Sequence, residues 1–313
     1  MRLSIKLTTT RIYALIAILI ITAVTAGINL TAGGANIPSA RAAADSWNAE
    51  PLARELSRPM GVAPAGDKVL VADTGNGRVM VLDRQGKISK TITEIGNRRL
   101  MYPAAVAAMD KERVIIGDLY RGEVVAVSYN GEERFSLPLA ADKTKVGAIR
   151  PTAIAVVQNR IFVTEVEGHR VLVFDEKGRF IRAFGRPGDK PGELSFPNGI
   201  AVDPAKKLVY VADSNNRRIQ VFDPDGKFMK ILNLRDLKPM MPRGITVDPR
   251  NRALYFADTL DHKVFRYDLN TKKISLVNKA TALSFPNAVA VDGSDRLLVA
   301  DRENNRVIVF NRK

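Results

Sequence analysis

The chain contains no cysteine among its 313 residues, and it has only two histidines and one tryptophan. The absence of cysteine excludes a disulfide framework, a thiol nucleophile, a thiolate metal site and a lipid-modified cysteine anchor. Stability must therefore come from packing, for which a hydrophobic content of 46% supplies enough apolar surface. Aromatic residues make up only 6%, which leaves few platforms for stacking of nucleic acid bases. We therefore do not expect nucleic acid to be a partner.

Charged residues are also absent between Arg11 and Arg41, a stretch that contains the apolar segment 12–30, IYALIAILIITAVTAGINL. A basic end followed by such a segment is typical of export, with the basic end left inside. The segment approaches the roughly 20 residues that span a bilayer, and small-x-small cleavage sites occur at 24–26, 40–42 and 42–44. We expect residues 1–46 to be either an uncleaved membrane anchor or a cleaved signal peptide. Either alternative predicts an extracytoplasmic domain over residues 47–313, membrane-anchored or secreted.

Acidic residues are fewer than basic ones, and the formal net charge is +15. Residues 1–46 carry four of the 48 basic and one of the 33 acidic residues, so the remaining chain keeps a charge of +12. Such a surface attracts anions without specificity. We expect the partner to be a protein or an anionic glycan or lipid surface, and the chain to be a monomer. The alternative is a solvated basic surface with no particular partner.

What the sequence does contain is an internal repeat. The decapeptide LSFPNGIAVD at 194–203 returns as LSFPNAVAVD at 283–292, with eight of ten residues identical. Apolar runs of four to seven residues, bounded by turn formers, predict four strands in each repeat. Four antiparallel strands at a period of about 45 residues predict one blade of a β-propeller. Six repeats align, and their leading prolines are Pro59, Pro103, Pro151, Pro197, Pro242 and Pro286.

The last repeat stops after three strands. Residues 48–57, NAEPLARELS, precede the first repeat and can supply the missing outer strand. This pairing of the two chain ends would remove an exposed sheet edge and close the ring.

The repeat motifs resemble a known family. PNGIAVD at 197–203, followed by VYVADSNNRRIQVFD at 209–223, is similar to the NHL repeat, and the resemblance covers about residues 48–313. It implies an all-β fold, a six-bladed β-propeller of the NHL or TolB type. Such propellers include binding scaffolds, peptide-amidating lyases and relatives of calcium-dependent lactonases, so the resemblance implies a fold and leaves the activity open.

An acid ends the second strand of every repeat, and five positions later most repeats carry a base. Across a bend, this spacing lets the carboxylate accept hydrogen bonds from bend amides or from the base. A feature copied on every blade indicates architecture rather than catalysis. Glu123 follows Asp118 in repeat two, so that blade is either held differently or specialised. The predicted structural pairs are Asp73 with Arg78, Glu165 with Arg170, Asp213 with Arg218, Asp258 with Lys263, and Asp301 with Arg306.

The two histidines, His169 and His262, occupy the position just before that base, on different blades. Two ligands on separate blades would need further partners to hold zinc. We predict a structural or solvent-facing role for both histidines and no metal site.

A ring of residues follows the six prolines, where the inner strands of a propeller start beside its channel. This ring is not uniform, as expected of a site built on a repeat. Arg243 can bind a carboxylate, phosphate or sulfate bidentately, with neutral donors beside it. The alternative is that the polar groups only line a water-filled channel. The predicted ligand-binding residues are Thr152, Asn198, Arg243 and Asn287; Met60 and Ala104 complete the ring.

The resemblance implies that the enzymes of the family carry other residues in the ring that follows the prolines. Amidating lyases would have histidines there, and streptogramin-lyase-like propellers commonly use a histidine base. Asn198 is similar to a calcium-binding asparagine of the lactonases, but Arg243 puts a cation where calcium needs an acid. We therefore expect a binding or interaction scaffold without cofactor or catalytic residues. The alternative is a channel-centred lyase or lactone hydrolase.

Overall fold

The computed structural model describes residues 47–234, 237–293 and 295–312. The apolar segment 12–30, predicted to be an anchor or a signal, lies outside these residues. No helix in the described part of the chain is both long enough and apolar enough to cross a membrane. The described backbone contains six four-stranded antiparallel sheets and one two-stranded hairpin. The predicted all-β, six-bladed propeller is thereby confirmed.

The strands follow the chain blade by blade, and each blade from one to five runs from its inner to its outer strand. Blade one contains β2 (Gly61–Ala65), β3 (Lys68–Asp73), β4 (Arg78–Asp83) and β5 (Ile88–Ile92); the hairpin β6 (Glu94–Ile95) and β7 (Arg98–Arg99) follows. Blade two contains β8 (Pro103–Ala108), β9 (Arg113–Asp118), β10 (Glu123–Ser128) and β11 (Glu133–Leu137). Blade three contains β12 (Pro151–Val157), β13 (Arg160–Glu165), β14 (Arg170–Asp175) and β15 (Phe180–Phe184).

Blade four contains β16 (Pro197–Asp203), β17 (Leu208–Asp213), β18 (Arg218–Phe222) and β19 (Phe228–Ile231). Blade five contains β20 (Pro242–Asp248), β21 (Ala253–Asp258), β22 (Lys263–Asp268) and β23 (Ile274–Leu276). Blade six contains β24 (Pro286–Val291), β25 (Arg296–Asp301), β26 (Arg306–Arg312) and, as its outer strand, β1 (Trp47–Ala53). The described helices are short: α1 (Lys143–Val146) and 3-10 turns at Thr74–Asn76, Ala140–Asp142 and Arg302–Asn304.

The turns between the third and fourth strands of the blades show how local sequence sets these hairpins. In blade three, Asp175 Oδ1 accepts the N–H groups of Lys177 and Arg179, both at 2.9 Å. Gly178 has a φ of 81°, a conformation that glycine adopts without strain. Asp223 and Gly226 form the same turn in blade four. An aspartate followed three residues later by glycine therefore fixes the reversal.

The hydrophobic core consists of six clusters, and each cluster lies between two neighbouring blades. Phe162 and Phe222 belong to the cluster between blades three and four, and both are fully buried. Val62 and Val309 belong to the cluster between blades one and six, which completes the ring. A sheet with apolar residues on both faces must be covered on both faces, and neighbouring blades provide this cover.

The chain ends pair as predicted. Strand β1 runs antiparallel to β26, with Ala49 opposite Phe310, and completes the sheet of blade six. The ring of Trp47 also contacts Tyr255 of blade five edge-on, with centroids 6.0 Å apart. This outer strand covers the sheet edge that the three-stranded last repeat would otherwise expose.

Candidate binding site at the channel mouth

Four of the five predicted acid–base pairs form across the bend that follows the second strand. In each pair the Nε of the arginine lies against a carboxylate oxygen that is almost completely buried. The distances are 2.6 Å for Asp73–Arg78, 3.2 Å for Glu165–Arg170, 2.7 Å for Asp213–Arg218 and 2.7 Å for Asp301–Arg306. A charge-assisted hydrogen bond of this kind offsets the cost of burying the acid.

The predicted Asp258–Lys263 pair does not form. Lys263 Nζ lies 2.8 Å from Asp261 Oδ2, because a flexible lysine reaches the acid within the bend itself. Asp258 instead accepts the N–H groups of Met240 and Met241, both at 2.8 Å, and burial raises its pKa. In blade two, Glu123 also departs from the pattern.

Blade two is held by a different ion pair. Glu123 stands where other blades have a base, and its Oε1 lies 2.7 Å from Nε of Arg121, which the bend supplies. Arg98, from the hairpin β6–β7, approaches the same carboxylate at 3.5 Å. At this bend, blade two therefore pairs Glu123 with Arg121 and Arg98, where four other blades pair the buried acid with an arginine.

The buried acids also fix the start of each inner strand. Ser57 N–H donates to Asp73 at 2.6 Å, and Ser195 N–H donates to Asp213 at 2.6 Å. Both serines lie two residues before the leading proline of their repeat, Pro59 or Pro197. The acid therefore positions the ring residue that follows this proline at the channel mouth.

The channel itself is narrow because the inner strands approach one another closely. A Cβ atom on Gly199 would overlap the carbonyl oxygen of Arg243, and one on Gly244 would overlap the backbone of Ala288. The cavity between the strands has a volume of about 70 Å³. That is room for a few water molecules, whereas pockets for small molecules measure roughly 300–1,000 Å³. The channel is therefore too small to enclose a small-molecule ligand.

Two predicted ring residues use their polar groups within the propeller. The hydroxyl of Thr152 donates to the carbonyl oxygen of Pro197 at 2.8 Å. The amide of Asn198 donates to the carbonyl of Phe196 at 2.8 Å and to the hydroxyl of Ser214 at 3.1 Å. These bonds tie an inner strand to the following blade or to its own hairpin, which favours a structural role.

Arg243 and Asn287 are joined across blades five and six. Arg243 Nη1 donates to Asn287 Oδ1 at 3.0 Å, and Asn287 Nδ2 donates to the carbonyl of Met60 at 2.7 Å. The Nε of Arg243 is enclosed and has no hydrogen-bond partner within residues 47–234, 237–293 and 295–312. Burial, followed by the positive charge of Arg302, lowers the pKa of Arg243 to about 10. Arg243 therefore remains a cation at neutral pH, although its charge is poorly solvated.

Arg302 is a second guanidinium at this mouth. It immediately follows the buried acid Asp301, at a position where three other blades carry a hydroxyl that donates to the carbonyl of the next blade's proline. These hydroxyls belong to Thr74, Ser214 and Thr259, at 2.6, 2.6 and 2.7 Å. Arg302 is only 5% exposed, and burial lowers its pKa. Its Nε and Nη2 have no hydrogen-bond partner in the described part of the chain.

One carboxylate partly balances this charge. Glu303 Oε1 lies 3.4 Å from Arg302 Nε without hydrogen-bond geometry, and 3.1 Å from Nη2 of Arg58. Two guanidinium groups, those of Arg58 and Arg302, thus share one acid. The sequence-based prediction named Arg243 but missed Arg302. Aligning the residue after each acid, where the last blade alone carries a charge, would have identified it.

The histidines face the backbone of the following blade. Nδ1 of His262 accepts the N–H of Phe285 at 3.0 Å, and the two rings meet edge-on with centroids 4.6 Å apart. His169 makes the equivalent contacts with Phe196. The described residues contain no group of three or more His, Cys, Asp or Glu side chains that could hold a metal ion.

Comparisons with known proteins concern the repeat and the fold. Residues 140–242 match the family described as 6-bladed beta-propeller, and residues 283–310 match the NHL repeat. The protein brain tumor of Drosophila melanogaster is 31% identical over 136 residues, which are 42% of this chain. The match spans only 13% of that relative's length.

Two solved structures illustrate the likeness in fold. A gluconolactonase from Xanthomonas campestris superposes with a TM-score of 0.67 at 14% identity, over 85% of this chain and 90% of the other. Streptogramin B lyase superposes with a TM-score of 0.60 at 16% identity, over 85% and 98% respectively. At such identities the likeness concerns the fold alone.

Proposed function

Because the chain is an NHL-repeat six-bladed β-propeller, we propose that it is a binding module that holds an anionic ligand at one mouth of its channel. The observation that carries this proposal is Arg302, a guanidinium 5% exposed whose Nε and Nη2 lack hydrogen-bond partners among the described residues. Arg243 adds a third enclosed and unpartnered nitrogen, its Nε.

Such an arrangement costs stability in the free protein. Leaving a buried charged donor unsatisfied costs about 1–3 kcal/mol or more, and two neighbouring guanidinium groups also repel each other. An oxyanion removes both costs, since it accepts hydrogen bonds from both groups and neutralises their charge. The unpartnered nitrogens of the two arginines therefore support an anion-binding role.

Binding is better supported than catalysis. The Nδ1 atoms of His169 and His262 accept backbone N–H groups, so these nitrogens are not free to take a proton from a substrate. The channel cavity of about 70 Å³ also cannot enclose a sugar lactone or a peptide. These two observations weigh against the channel-centred lyase or lactone hydrolase.

The experiment uses sulfate as a minimal oxyanion. Sulfate is titrated into the protein by calorimetry at constant ionic strength, with chloride as the reference anion. Arg302→Gln and Arg243→Gln should each weaken sulfate binding roughly 10-fold or more, since hydrogen bonds to charged groups contribute about 1.5–3 kcal/mol. Lys90→Gln, which removes one exposed charge on an outer strand, is the matched control and should change binding less than twofold.

An equal loss in all three variants would mean that only diffuse charge attracts the anion, and the proposal would fail.

We further propose that this module works outside the cytoplasm, on an anionic glycan or another cell-envelope polymer, as the export pattern at residues 12–30 predicts. Cell fractionation with an antibody against the propeller tests this, and a protein found only in the cytosol would contradict it.

A further inference from the structure

Two tyrosines form an aromatic platform at the same channel mouth. The rings of Tyr102 and Tyr120 stack with centroids 4.3 Å apart and planes 23° from parallel. Tyr120 is 50% exposed. Asp118 Oδ1 accepts the backbone N–H of both residues at 3.1 Å, and Arg150 Nη1 donates to the carbonyl of Tyr120 at 3.0 Å. Hydrogen bonds to the backbone N–H groups of both tyrosines and to the carbonyl of Tyr120 therefore fix the position of the platform.

The tyrosine pair is not a product of the repeat. Tyr102 precedes the proline of blade two, and Tyr120 stands two residues after its buried acid. In no other repeat do both positions carry aromatic residues; the corresponding pairs are Arg58 and Gly75, Arg150 and Glu167, Phe196 and Asn215, Met241 and Leu260, and Phe285 and Glu303. A stacked aromatic pair with one exposed ring, which the architecture does not require, indicates a contact surface.

The platform lies at the same mouth as the arginines. Tyr102 and Arg58 each immediately precede the leading proline of their repeat, in neighbouring blades, and Arg58 contacts the same carboxylate, Glu303, as Arg302. Blades two, five and six thus contribute to one site. It contains unpartnered cationic donors, an aromatic face and the partly exposed carboxylate of Glu303.

We propose that the ligand is a sugar acid, whose carboxylate binds Arg302 and Arg243 and whose ring packs on Tyr120. This inference rests on the proposed function and specifies its ligand. The C–H face of a pyranose is apolar and fits an aromatic ring. Its hydroxyls can donate to Glu303, whereas a second negative charge there would be repelled. A phosphodiester or sulfated polymer, with several charges close together, fits this combination less well.

The experiment compares trimers of galacturonic acid and of glucuronic acid with their methyl esters and with sulfate, all at one ionic strength. Calorimetry should give a lower Kd for at least one trimer than for sulfate. Its methyl ester, which keeps the sugar and loses the charge, should bind at least about tenfold more weakly. Tyr120→Ala should weaken trimer binding at least fivefold and sulfate binding less than twofold, because it removes only the stacking surface.

Tyr120→Phe retains the ring and should restore trimer binding, which separates stacking from misfolding. Arg302→Gln should weaken the binding of trimer and sulfate alike, by roughly 10-fold or more. Sulfate binding that depends on Arg302, with no trimer binding or no effect of Tyr120→Ala, overturns the sugar-acid inference and leaves the anion-binding module standing. Absence of binding by every probe overturns both.

Discussion

The backbone N–H of Phe196 donates to Nδ1 of His169 over 2.9 Å, and this bond joins blade three to the start of the inner strand of blade four. His169 has a φ of 54°. Asn305 occupies the same repeat position in blade six with a φ of 53°, and its Oδ1 accepts the N–H of Arg58 at 2.8 Å. In these two blades the residue supplies a hydrogen-bond acceptor from a left-handed backbone, a conformation that asparagine tolerates well.

We expect the free energy of unfolding to fall less in acid for His169→Asn than for the unsubstituted protein. Burial lowers the pKa of His169, so the folded state favours the neutral ring that accepts the Phe196 bond. The stabilisation is complete above the ordinary histidine pKa of about 6.5, and it is lost as the pH falls through the lower folded-state pKa. Thermal unfolding at pH 7.5 should give nearly equal Tm values for the two proteins. At pH 5 the variant should be the more stable one, and parallel pH profiles would contradict this role.

Arg302→Thr should raise the free energy of unfolding, by about 1 kcal/mol in chloride buffer. The substitution removes a buried guanidinium with unpartnered nitrogens and installs the hydroxyl that Thr259 uses in the preceding blade. Urea unfolding measures the change. Arg306→Thr is the matched control and should lower stability, since Arg306 is paired with Asp301 at 2.7 Å. If both variants are destabilised equally, Arg302 belongs to the scaffold.

Asp213→Asn should lower the free energy of unfolding by about 3 kcal/mol or more, the usual cost of breaking a buried ion pair. Asp213 is 0% exposed and accepts hydrogen bonds from Ser195 N–H and Arg218 Nε. Lys263→Gln, at the repeat position that corresponds to Arg218, should cost less than about 1 kcal/mol, because Lys263 pairs only with the partly exposed Asp261. Chemical denaturation measures the free energy of unfolding of both variants. Similar losses in the two would refute this distinction between the blades.

Ring closure can be tested by deletion of the outer strand of blade six. A chain that begins at Arg58 lacks β1 and also Leu56, which is 5% exposed in the cluster between blades one and six. Compared with a chain that begins at Trp47, it should lose more than about 3 kcal/mol of stability. It should also aggregate through the exposed edge of β26. Equal midpoints of urea unfolding and equal sedimentation coefficients for the two chains would show that β1 is dispensable.

The sequence-based predictions failed where a side chain has several possible hydrogen-bond or ion-pair partners within reach. The sequence indicated four of the five acid–base pairs, because strand alternation and a bend of fixed length bring both partners to one hairpin. It did not predict that Lys263 would pair with Asp261, since two acids were within reach of one flexible side chain. Nor did it predict that the polar atoms of Thr152 and Asn198 would be occupied by neighbouring carbonyl and hydroxyl groups.

The sequence by itself determined the number of blades, the order of their strands and the pairing of the chain ends. These features follow from a periodic pattern of apolar runs and turns that repeats locally and needs no knowledge of distant contacts. Only the tertiary structure decided that Tyr102, Arg243 and Arg302 share one channel mouth, because closure of the ring brings blades two, five and six together there. The unsatisfied charge of Arg302 is likewise a property of its surroundings, since it depends on which acceptors the folded ring leaves within reach.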